Sequence, residues 1–191
     1  MASWNIAGAS CTCSASSECC RSLDELGALD NLDLVSSNDI ERFKEVLGHF
    51  VTGVAVVTAS TPEGPVGFTC QTFGALSLQP TLISFSASTS SHSWPRARAV
   101  GVVAVNILSS DQETVARVFG KPGVDKFAGV GWSPGPKGAP LIGGALAHLE
   151  GRVQFVTTQG DHAIVVVAAE HAEGFPGAPL IFYRGGYGGF D

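Results

Sequence analysis

The pattern of apolar and polar residues changes from a helical to an extended period near residue 50. Apolar side chains recur every three or four residues before that point, which predicts a helix over about residues 40–49. Residues 51–59 are apolar and rich in β-branched side chains, and a turn-forming run at residues 61–65 follows them. Residues 66–73 are therefore expected to return as the second strand of a hairpin.

The rest of the pattern predicts mainly strands joined by short turns. These strands cover residues 82–86, 100–108, 149–157, 163–169 and 180–183, and two short helices cover residues 91–97 and 111–119. Residues 120–145 are dense in Gly and Pro and predict a loop longer than a compact domain usually contains without a function. Because strands outnumber helices and adjoin through short turns, an antiparallel barrel or sandwich is favoured over a parallel βαβ sheet.

Composition indicates one globular domain with an N-terminal extension. The chain has 191 residues, 45% of them hydrophobic and 15% charged. Residues 1–37 are rich in Ser, Cys and acidic residues and predict a poorly ordered extension, and residues 38–191 form the predicted domain. No apolar run approaches the roughly 18 residues of a membrane span, so no membrane association is expected.

The net charge of −6 is concentrated near the N-terminus. Eight of the 17 acidic residues but only three of the 11 basic residues lie within residues 1–45. The remaining chain is close to neutral and has no basic run that would neutralise phosphates along a nucleic acid. Nucleic acid is therefore not an expected partner.

Four of the five cysteines lie within ten residues of one another, at Cys11, Cys13, Cys19 and Cys20. The N-terminus lacks the basic and apolar regions of a secretory signal, so a cytoplasmic protein with free thiols is expected. The cluster offers four thiolates for zinc, but its spacing lacks the usual Cys-x2-Cys pairs. Incidental thiols in an unstructured extension are favoured, and no metal site is predicted.

Two segments carry side chains that a buried strand does not need. Residues 67–73 place small or hydrogen-bonding side chains in a predicted strand. Residues 84–93 end a strand in a run of hydroxyls that leads into a predicted helix, where hydroxyls and backbone N–H groups can bind a phosphate. A solvated loop with a helix N-cap explains this run equally well. The sequence contains none of three common cofactor and metal motifs: a GxGxxG that follows a strand, the P-loop, and HExxH.

Ordered segments across about residues 40–190 resemble the short-chain flavin reductases. The segments are FKEVLGHFVTGVAVVT (43–58), GFTCQTFGALSLQP (67–80), AVNIL (104–108), GAPLI (138–142), AHLEGRV (147–153), GDH (160–162) and PLIFYRGGYGGF (179–190). These reductases are the NAD(P)H:flavin oxidoreductase partners of two-component flavin-dependent monooxygenases. The GDH motif by itself is a weak signal, and the ordered set of segments is a strong one.

The resemblance implies a fold, cofactors and partners. The implied fold is mostly β, a six-stranded antiparallel Greek-key split barrel with a few short helices. The implied molecule is a homodimer that binds FMN or FAD near the subunit interface and takes a hydride from NADH or NADPH. Its implied partner is a flavin-dependent monooxygenase, reached through diffusing flavin.

The resemblance also implies a set of site residues. Close to the flavin ring it places Thr52, Gly53, Thr69, Cys70, Gln71, Thr72 and Ser77. Facing the ribityl phosphate it places Ser86, Ser91 and His92, and at the nicotinamide side it places the catalytic His162 with Asp161 of the same motif. Arg184 and Tyr187 are weaker candidates near the site. The family commonly has Lys or Arg at position 92, so phosphate affinity is expected to rise when His92 is protonated.

Two other function classes stay open at this point. A flavin-binding module on the same barrel would bind flavin without NAD(P)H turnover, because fold alone does not choose between such functions. A metal-dependent interaction protein would be built around the cysteine cluster. The GDH motif favours the reductase. The choice between FMN and FAD, between NADH and NADPH, and between bound and passing flavin stays open.

Overall fold

The computed structural model describes residues 37–189. A boundary between two units lies at Glu41 and Arg42, and the second unit holds nearly all of the described residues. Nearly all of the predicted extension, including Cys11, Cys13, Cys19 and Cys20, lies outside the described residues, so the extension and its metal alternative stay untested. In the described range no helix is both long and apolar enough to cross a bilayer.

Three helices and twelve strands make up the described chain. The helices are α1 (Ser37–Leu47), α2 (Trp94–Val100) and α3 (Glu113–Gly120). The strands are β1 (Thr52–Gly53), β2 (Ala55–Thr61), β3 (Gly64–Cys70), β4 (Gly74–Leu78), β5 (Thr81–Ser88), β6 (Val102–Ile107), β7 (Trp132–Pro134), β8 (Pro140–Ile142), β9 (Ala147–Gln159), β10 (His162–Gly174), β11 (Leu180–Tyr183) and β12 (Gly186–Gly189).

Seven of the strands form one antiparallel sheet in the order β3-β2-β6-β9-β10-β5-β4. Three further strands form the sheet β1-β11-β12, and β7 pairs with β8. The predicted class, mostly β and antiparallel, is confirmed. The main sheet has seven strands where six were expected, and it is open, with β3 and β4 as its edge strands. Beyond the end of β3 the Thr72 hydroxyl accepts the backbone N–H of Ser86 on β5 at 2.8 Å, so a side chain rather than a ladder joins these two segments.

The strand predicted over residues 51–59 is divided between two sheets at Val54. β1 pairs with β11, whereas β2 pairs with β3 and β6. Val54 is 1% exposed, and its backbone groups bond to Leu180 and Leu108 rather than to either ladder. The sequence pattern also missed β4, β12 and the two strands inside the predicted loop, β7 and β8, because strands this short lack an apolar period of their own.

The hairpin of β9 and β10 is longer than predicted, with 13 residues in each strand. Its turn closes at the pair Gln159 and His162, and Gly160 adopts a φ of 58°, a left-handed conformation that glycine tolerates best. β10 also pairs with β5, and this register sets His162 opposite Ser88. The turn and the register together bring the GDH motif beside the hydroxyl-rich end of β5.

Alternate residues of β2 pack into two different cores. Val57 belongs to a cluster around Phe68, Phe85 and Trp94, whose ring centroids lie 5.9–6.4 Å apart, with Trp94 in edge-on contact with both phenylalanines. Val56 belongs to a second cluster with other members that include Leu108, Phe119, Ile142 and Leu180. Because residues 55–59 of β2 are buried on both faces, their sequence does not alternate between apolar and polar side chains, and Thr58 is the one polar residue among them.

Buried polar groups hold residues 134–142 against the main sheet. The Asn106 side chain is fully buried; its Nδ2 donates to the Val56 carbonyl at 3.0 Å, and its Oδ1 accepts the Ile142 N–H at 2.8 Å. The Glu150 carboxylate, 1% exposed, accepts the backbone N–H groups of residues 137 and 139 at 2.8 and 2.7 Å. Satisfied groups of this kind fix a loop because any displacement leaves buried donors or acceptors unpaired.

Replacing Asn106 with alanine is expected to lower the free energy of unfolding by about 2–4 kcal/mol. The variant leaves the Ile142 N–H and the Val56 carbonyl without their buried partner. Chemical denaturation of Asn106→Ala measures the loss, and Gln154→Ala, an exposed amide on β9, should change stability by less than about 0.5 kcal/mol. Equal stability of the two variants would show that the Asn106 bonds contribute nothing.

Candidate functional site

A groove of about 980 Å³ runs along β3, an edge strand of the main sheet. Every residue from 65 to 72 lines it, so the groove follows the strand over its length. Its other walls come from the end of β5, the segment that leads into α2, and residues 119–127. The volume lies at the upper end of the roughly 300–1,000 Å³ typical of small-molecule sites.

Eight of the residues predicted for the site line this groove, and so does Tyr187. The eight are Thr69, Cys70, Gln71, Thr72, Ser86, Ser91, His92 and His162. They come from segments about 90 residues apart in the chain, and the pairing of β5 with β10 brings them together. The GDH motif and the hydroxyl-rich run, singled out separately in the sequence, are therefore parts of one surface.

Five predicted residues do not line the groove. Thr52 and Gly53 lie on β1, which pairs with β11 instead of joining the main sheet. Ser77 lies on β4, the opposite edge strand of the main sheet from β3. Asp161 lies in the turn before β10, and Arg184 lies in the turn between β11 and β12. Their contribution to cofactor binding stays a prediction, and for Thr52 one local feature is unusual: its buried hydroxyl has no partner among the described residues.

Arg184 is engaged in a structural contact. Its φ of 47° is left-handed, its backbone N–H donates to the Gly48 carbonyl at 3.1 Å, and its guanidinium lies 3.0 Å from His49 Nε2. The guanidinium also lies 5.8 Å from the centre of the Tyr183 ring. These contacts tie the end of α1 to the β11–β12 turn, which accounts for the position of Arg184 outside the groove.

The Asp161 carboxylate orients the imidazole of His162. Asp161 Oδ1 lies 2.8 Å from His162 Nδ1, and this hydrogen bond lowers the pKa of the Asp161 carboxyl. Because a carboxylate oxygen accepts, Nδ1 carries the proton and Nε2 stays available to a ligand. The Asp161 carbonyl also accepts the backbone N–H and the hydroxyl of Thr89, both at 2.9 Å, which holds the turn against the end of β5.

The Cys70 side chain is a buried thiol at the end of β3. Burial raises its pKa, and its Sγ lies 3.3 Å from the Thr72 hydroxyl and 3.7 Å from the Ser86 carbonyl. A neutral thiol in weak hydrogen bonds is a poor nucleophile, so this environment favours a small packing residue over a redox sensor.

The hydroxyl-rich run lines the groove and also supports the start of α2, while phosphate binding by it stays a prediction. The Ser91 hydroxyl accepts the Trp94 backbone N–H at 3.2 Å, which satisfies the first N–H of α2 where the N-cap residue Ser93 makes no side-chain bond. Ser88 and Ser90 hydroxyls lie 2.8 Å apart, and both residues line the groove with Ser86 and Ser91. The run is therefore a helix cap on one side and a wall of hydrogen-bonding groups on the other.

Sequence reasoning missed two cations in the groove, Lys126 and Arg96. Lys126 is half-buried; its ammonium donates to the Gly67 carbonyl at 3.0 Å and lies 3.5 Å from the Ser93 hydroxyl. Burial lowers the pKa of Lys126. Arg96 comes from α2 and also lines the groove. The only signal for Lys126 was the unusual length of the Gly- and Pro-rich loop that carries it.

The charge balance of the groove is opposite to that of the chain. Arg96 and Lys126 are its basic residues and Asp125 is its carboxylate, whereas the whole chain carries a net charge of −6. The Asp125 carboxylate accepts the Phe127 N–H at 3.1 Å. A groove lined by hydroxyls and an excess of cations is suited to a phosphorylated ligand.

Comparisons with known proteins agree on one family. The family model described as "Flavin reductase like domain" matches residues 47–191. The chain is 42% identical over 156 residues to the reductase subunit HsaB of a flavin-dependent monooxygenase from Mycobacterium tuberculosis, covering 80% of this chain and 83% of that one. It is 38% identical over 148 residues to the FMN reductase (NADH) SmoA of Agrobacterium fabrum, covering 78% and 84%. The structure of the Streptomyces globisporus NADH:FAD oxidoreductase SgcE6 in complex with NAD and FAD fragments superposes with a TM-score of 0.77 at 35% identity, covering 83% and 97%.

Replacing Lys126 with methionine is expected to weaken FMN binding about three- to tenfold near pH 7, because the half-buried ammonium attracts the phosphate. Only the charged form of Lys126 attracts the phosphate, and burial lowers the pKa of this lysine. Wild-type affinity should therefore fall with rising pH before the ordinary lysine range near pH 10.4 is reached.

Fluorescence titration of FMN between pH 7 and pH 10 measures this profile. Lys126→Arg should retain affinity at the alkaline end, and Lys121→Met, an exposed lysine outside the groove lining, should behave as wild type. Parallel profiles for wild type and Lys126→Met would remove Lys126 from the ligand site.

Proposed function

The chain belongs to the flavin reductase-like family, and from this premise we propose that it is an NAD(P)H:flavin oxidoreductase that supplies reduced flavin to a separate monooxygenase. The observation that carries the proposal is the groove along β3. It holds eight of the family's implied site residues on one surface, with the GDH histidine beside the hydroxyl-rich loop. A protein that only binds flavin needs the groove alone. A histidine oriented by a carboxylate is suited to bind a second substrate, which a reductase also needs.

The groove residues fit a flavin in shape and in chemistry. Residues 69–72 line the groove, and Cys70 presents no bulky side chain to it because its thiol is almost fully buried. Gly67 itself has no space for a side chain, because an added Cβ would lie 2.7 Å from the Phe119 ring. We assign the ring to residues 69–72 and the phosphate to Ser86, Ser91, His92 and Lys126.

A bound flavin supplies the electron-accepting chemistry, taking a hydride from nicotinamide C4 at its N5. The chain has to hold two rings face to face with the reacting atoms about 3–3.5 Å apart and to exclude other orientations. Backbone N–H groups along residues 69–72 are suited to stabilise negative charge that develops on the ring. No side chain has to form a covalent bond in this reaction.

His162 is proposed to position the nicotinamide. Asp161 holds Nδ1 at 2.8 Å, so Nε2 accepts a hydrogen bond when the ring is neutral and donates one when it is protonated. The neutral form can accept from the carboxamide NH2 group, and the protonated form can donate to the carboxamide oxygen or to a phosphate of the nicotinamide nucleotide. This role needs orientation and not proton transfer, since the hydride carries both electrons.

The alternative is a flavin-binding module that uses the same groove without turnover. Both functions need the residues along β3, but only the reductase needs His162 to bind a second nucleotide. The two are separated by asking whether NADH is consumed.

The wild-type protein is expected to consume NADH when FMN or FAD is added, as measured by the loss of absorbance of the reduced nicotinamide. His162→Ala should raise KM for NADH and lower kcat/KM at least about tenfold, while flavin affinity changes less than about twofold. His171→Ala, also on β10 but outside the groove lining, serves as the matched control. Absence of NADH consumption with either flavin would favour the binding module, and unchanged kinetics in His162→Ala would remove that residue from the site.

The partner of such an enzyme is a flavin-dependent monooxygenase, as the names of its relatives indicate for those proteins. We propose that reduced flavin reaches the partner by diffusion. A cytoplasmic location is part of the same proposal, since the nicotinamide donors and the oxygenase have to share a compartment.

A homodimer is also proposed, on the evidence of an exposed apolar surface at the N-terminal end of the second unit. Phe43, Val46, Leu47, Phe50 and Val51 are each more than half exposed, and Phe50 is 76% exposed. Large apolar side chains exposed this close together in the chain are typical of a surface that pairs with another protein, and this supports the proposed dimer.

Light scattering of the full chain is expected to give twice the chain mass of 19.7 kDa. Phe50→Glu places a charge in the apolar surface and should shift the mass toward one chain at micromolar concentration, because a buried charge without a partner opposes association. A single-chain mass for the wild type would contradict the dimer.

A further inference from the structure

Tyr187 lines the groove from the three-stranded sheet. It lies on β12, whereas the other lining residues come from the main sheet, the helices and the loops between them. The sequence of β12 is Gly-Tyr-Gly-Gly, so Tyr187 is the only residue of this strand with a side chain that can pack. The position of the Tyr187 ring therefore depends on the side chains that contact it.

Two side chains contact the Tyr187 ring. Phe182, its pairing partner on β11, meets it at an interplanar angle of 69° with the ring centroids 5.1 Å apart. The Arg117 guanidinium of α3 lies over the ring, 4.8 Å from its centroid. The electron-rich face of an aromatic ring attracts a cation, so this contact favours one orientation of the Tyr187 side chain.

The Arg117 guanidinium is itself held by Glu113, one turn earlier in α3. Its Nε donates to Glu113 Oε1 at 2.7 Å, and its Nη2 also lies 2.7 Å from this oxygen. The two side chains are 55% and 45% exposed, and an ion pair this exposed contributes little to stability. The clearer consequence of the pair is that it fixes the guanidinium over Tyr187.

A hydrogen bond from β3 holds this part of α3 beside the groove. The Thr69 hydroxyl donates to the Ala116 carbonyl at 2.6 Å, and Ala116 directly precedes Arg117. Thr69 belongs to the residues to which we assign the flavin ring. Arg117 does not line the groove, so its route to a ligand there is through Tyr187.

We propose that Arg117 is a positioning residue, which holds Tyr187 as an aromatic wall against the flat ring of a ligand in the groove. The inference rests on the proposed function and adds to the site a residue on the outer side of α3. A wall that is ordered before the ligand arrives lowers the cost of ordering on binding. Flavin and nicotinamide both have a flat ring, so the experiment has to separate these two ligands.

The test compares Arg117→Met, which removes the cation, with Arg98→Met, which removes an exposed arginine of α2 outside the groove lining. Fluorescence titration gives the affinity for oxidised FMN without turnover. KM for NADH is measured with saturating FMN as the acceptor. Arg117→Lys retains a cation at the same position and serves as the rescue variant.

Arg117→Met is expected to weaken FMN affinity, or to raise KM for NADH, by about two- to fivefold, whereas Arg98→Met matches wild type. Arg117→Lys should recover part of the loss. Weaker FMN affinity assigns the ring beside Tyr187 to flavin, and a rise in KM for NADH alone assigns it to nicotinamide; both outcomes support the proposal. If Arg117→Met has the FMN affinity and the KM of Arg98→Met, the proposal is overturned.

A second comparison separates positioning of Tyr187 from a general effect on α3. Tyr187→Leu removes the aromatic ring, and adding Arg117→Met to this variant should change the affected constant by less than about 1.5-fold. An equal effect of Arg117→Met with and without the Tyr187 ring would also overturn the proposal. The first comparison does not depend on whether Tyr187→Leu folds.

The proposed function is judged separately with the same proteins. If Arg117→Met weakens FMN binding but neither wild type nor Arg98→Met consumes NADH, the reductase proposal fails and the role of Arg117 stands. If both consume NADH and Arg117→Met matches them in FMN affinity and KM, the reductase proposal stands and the role of Arg117 fails.

Discussion

The outer edge of β3 is the constraint on which the site depends. An edge strand presents unpaired backbone groups, and a protein has to cover or charge such an edge to avoid pairing with other chains. Within the described residues β3 pairs only with β2, and the loop that carries Lys126 lies beside its other edge. The Lys126 ammonium donates to the Gly67 carbonyl there, so this carbonyl is not available to a further strand. A loop leaves a groove where a strand would have closed the sheet, and that groove is where a flat ring can lie.

The surroundings of β3 are held by satisfied buried polar groups more than by additional strands. Asn106 and Glu150 fix residues 134–142 on the far side of the sheet, and Asp161 and Thr89 fix the turn that carries His162. Each contact joins a side chain or carbonyl in one element to a backbone donor in another, so a loop is held without being part of a ladder. A site built in this way has rigid walls although much of its lining lies outside regular structure.

Charge in the groove comes from elements that the overall composition does not reveal. The chain is acidic, yet Arg96 and Lys126 enter the groove from α2 and from the long loop. Cations surrounded by hydroxyls can bind phosphates locally even though the molecule as a whole is negatively charged. Lys126 lines the same groove as His92 and adds a cation from a different segment.

The sequence by itself determined the class of fold, most strand positions and eight of the groove residues, because an apolar period and a local motif are properties of neighbours in the chain. It also determined which family the chain resembles. Only the tertiary structure decided that the strand at residues 51–59 divides at Val54, that Arg184 binds His49, and that Lys126 reaches Gly67, 59 residues away. Those outcomes depend on packing between distant segments, such as the edge-on contacts of Phe127 with Phe119 and Trp132, and a Gly- and Pro-rich loop has no period from which its neighbours could be predicted.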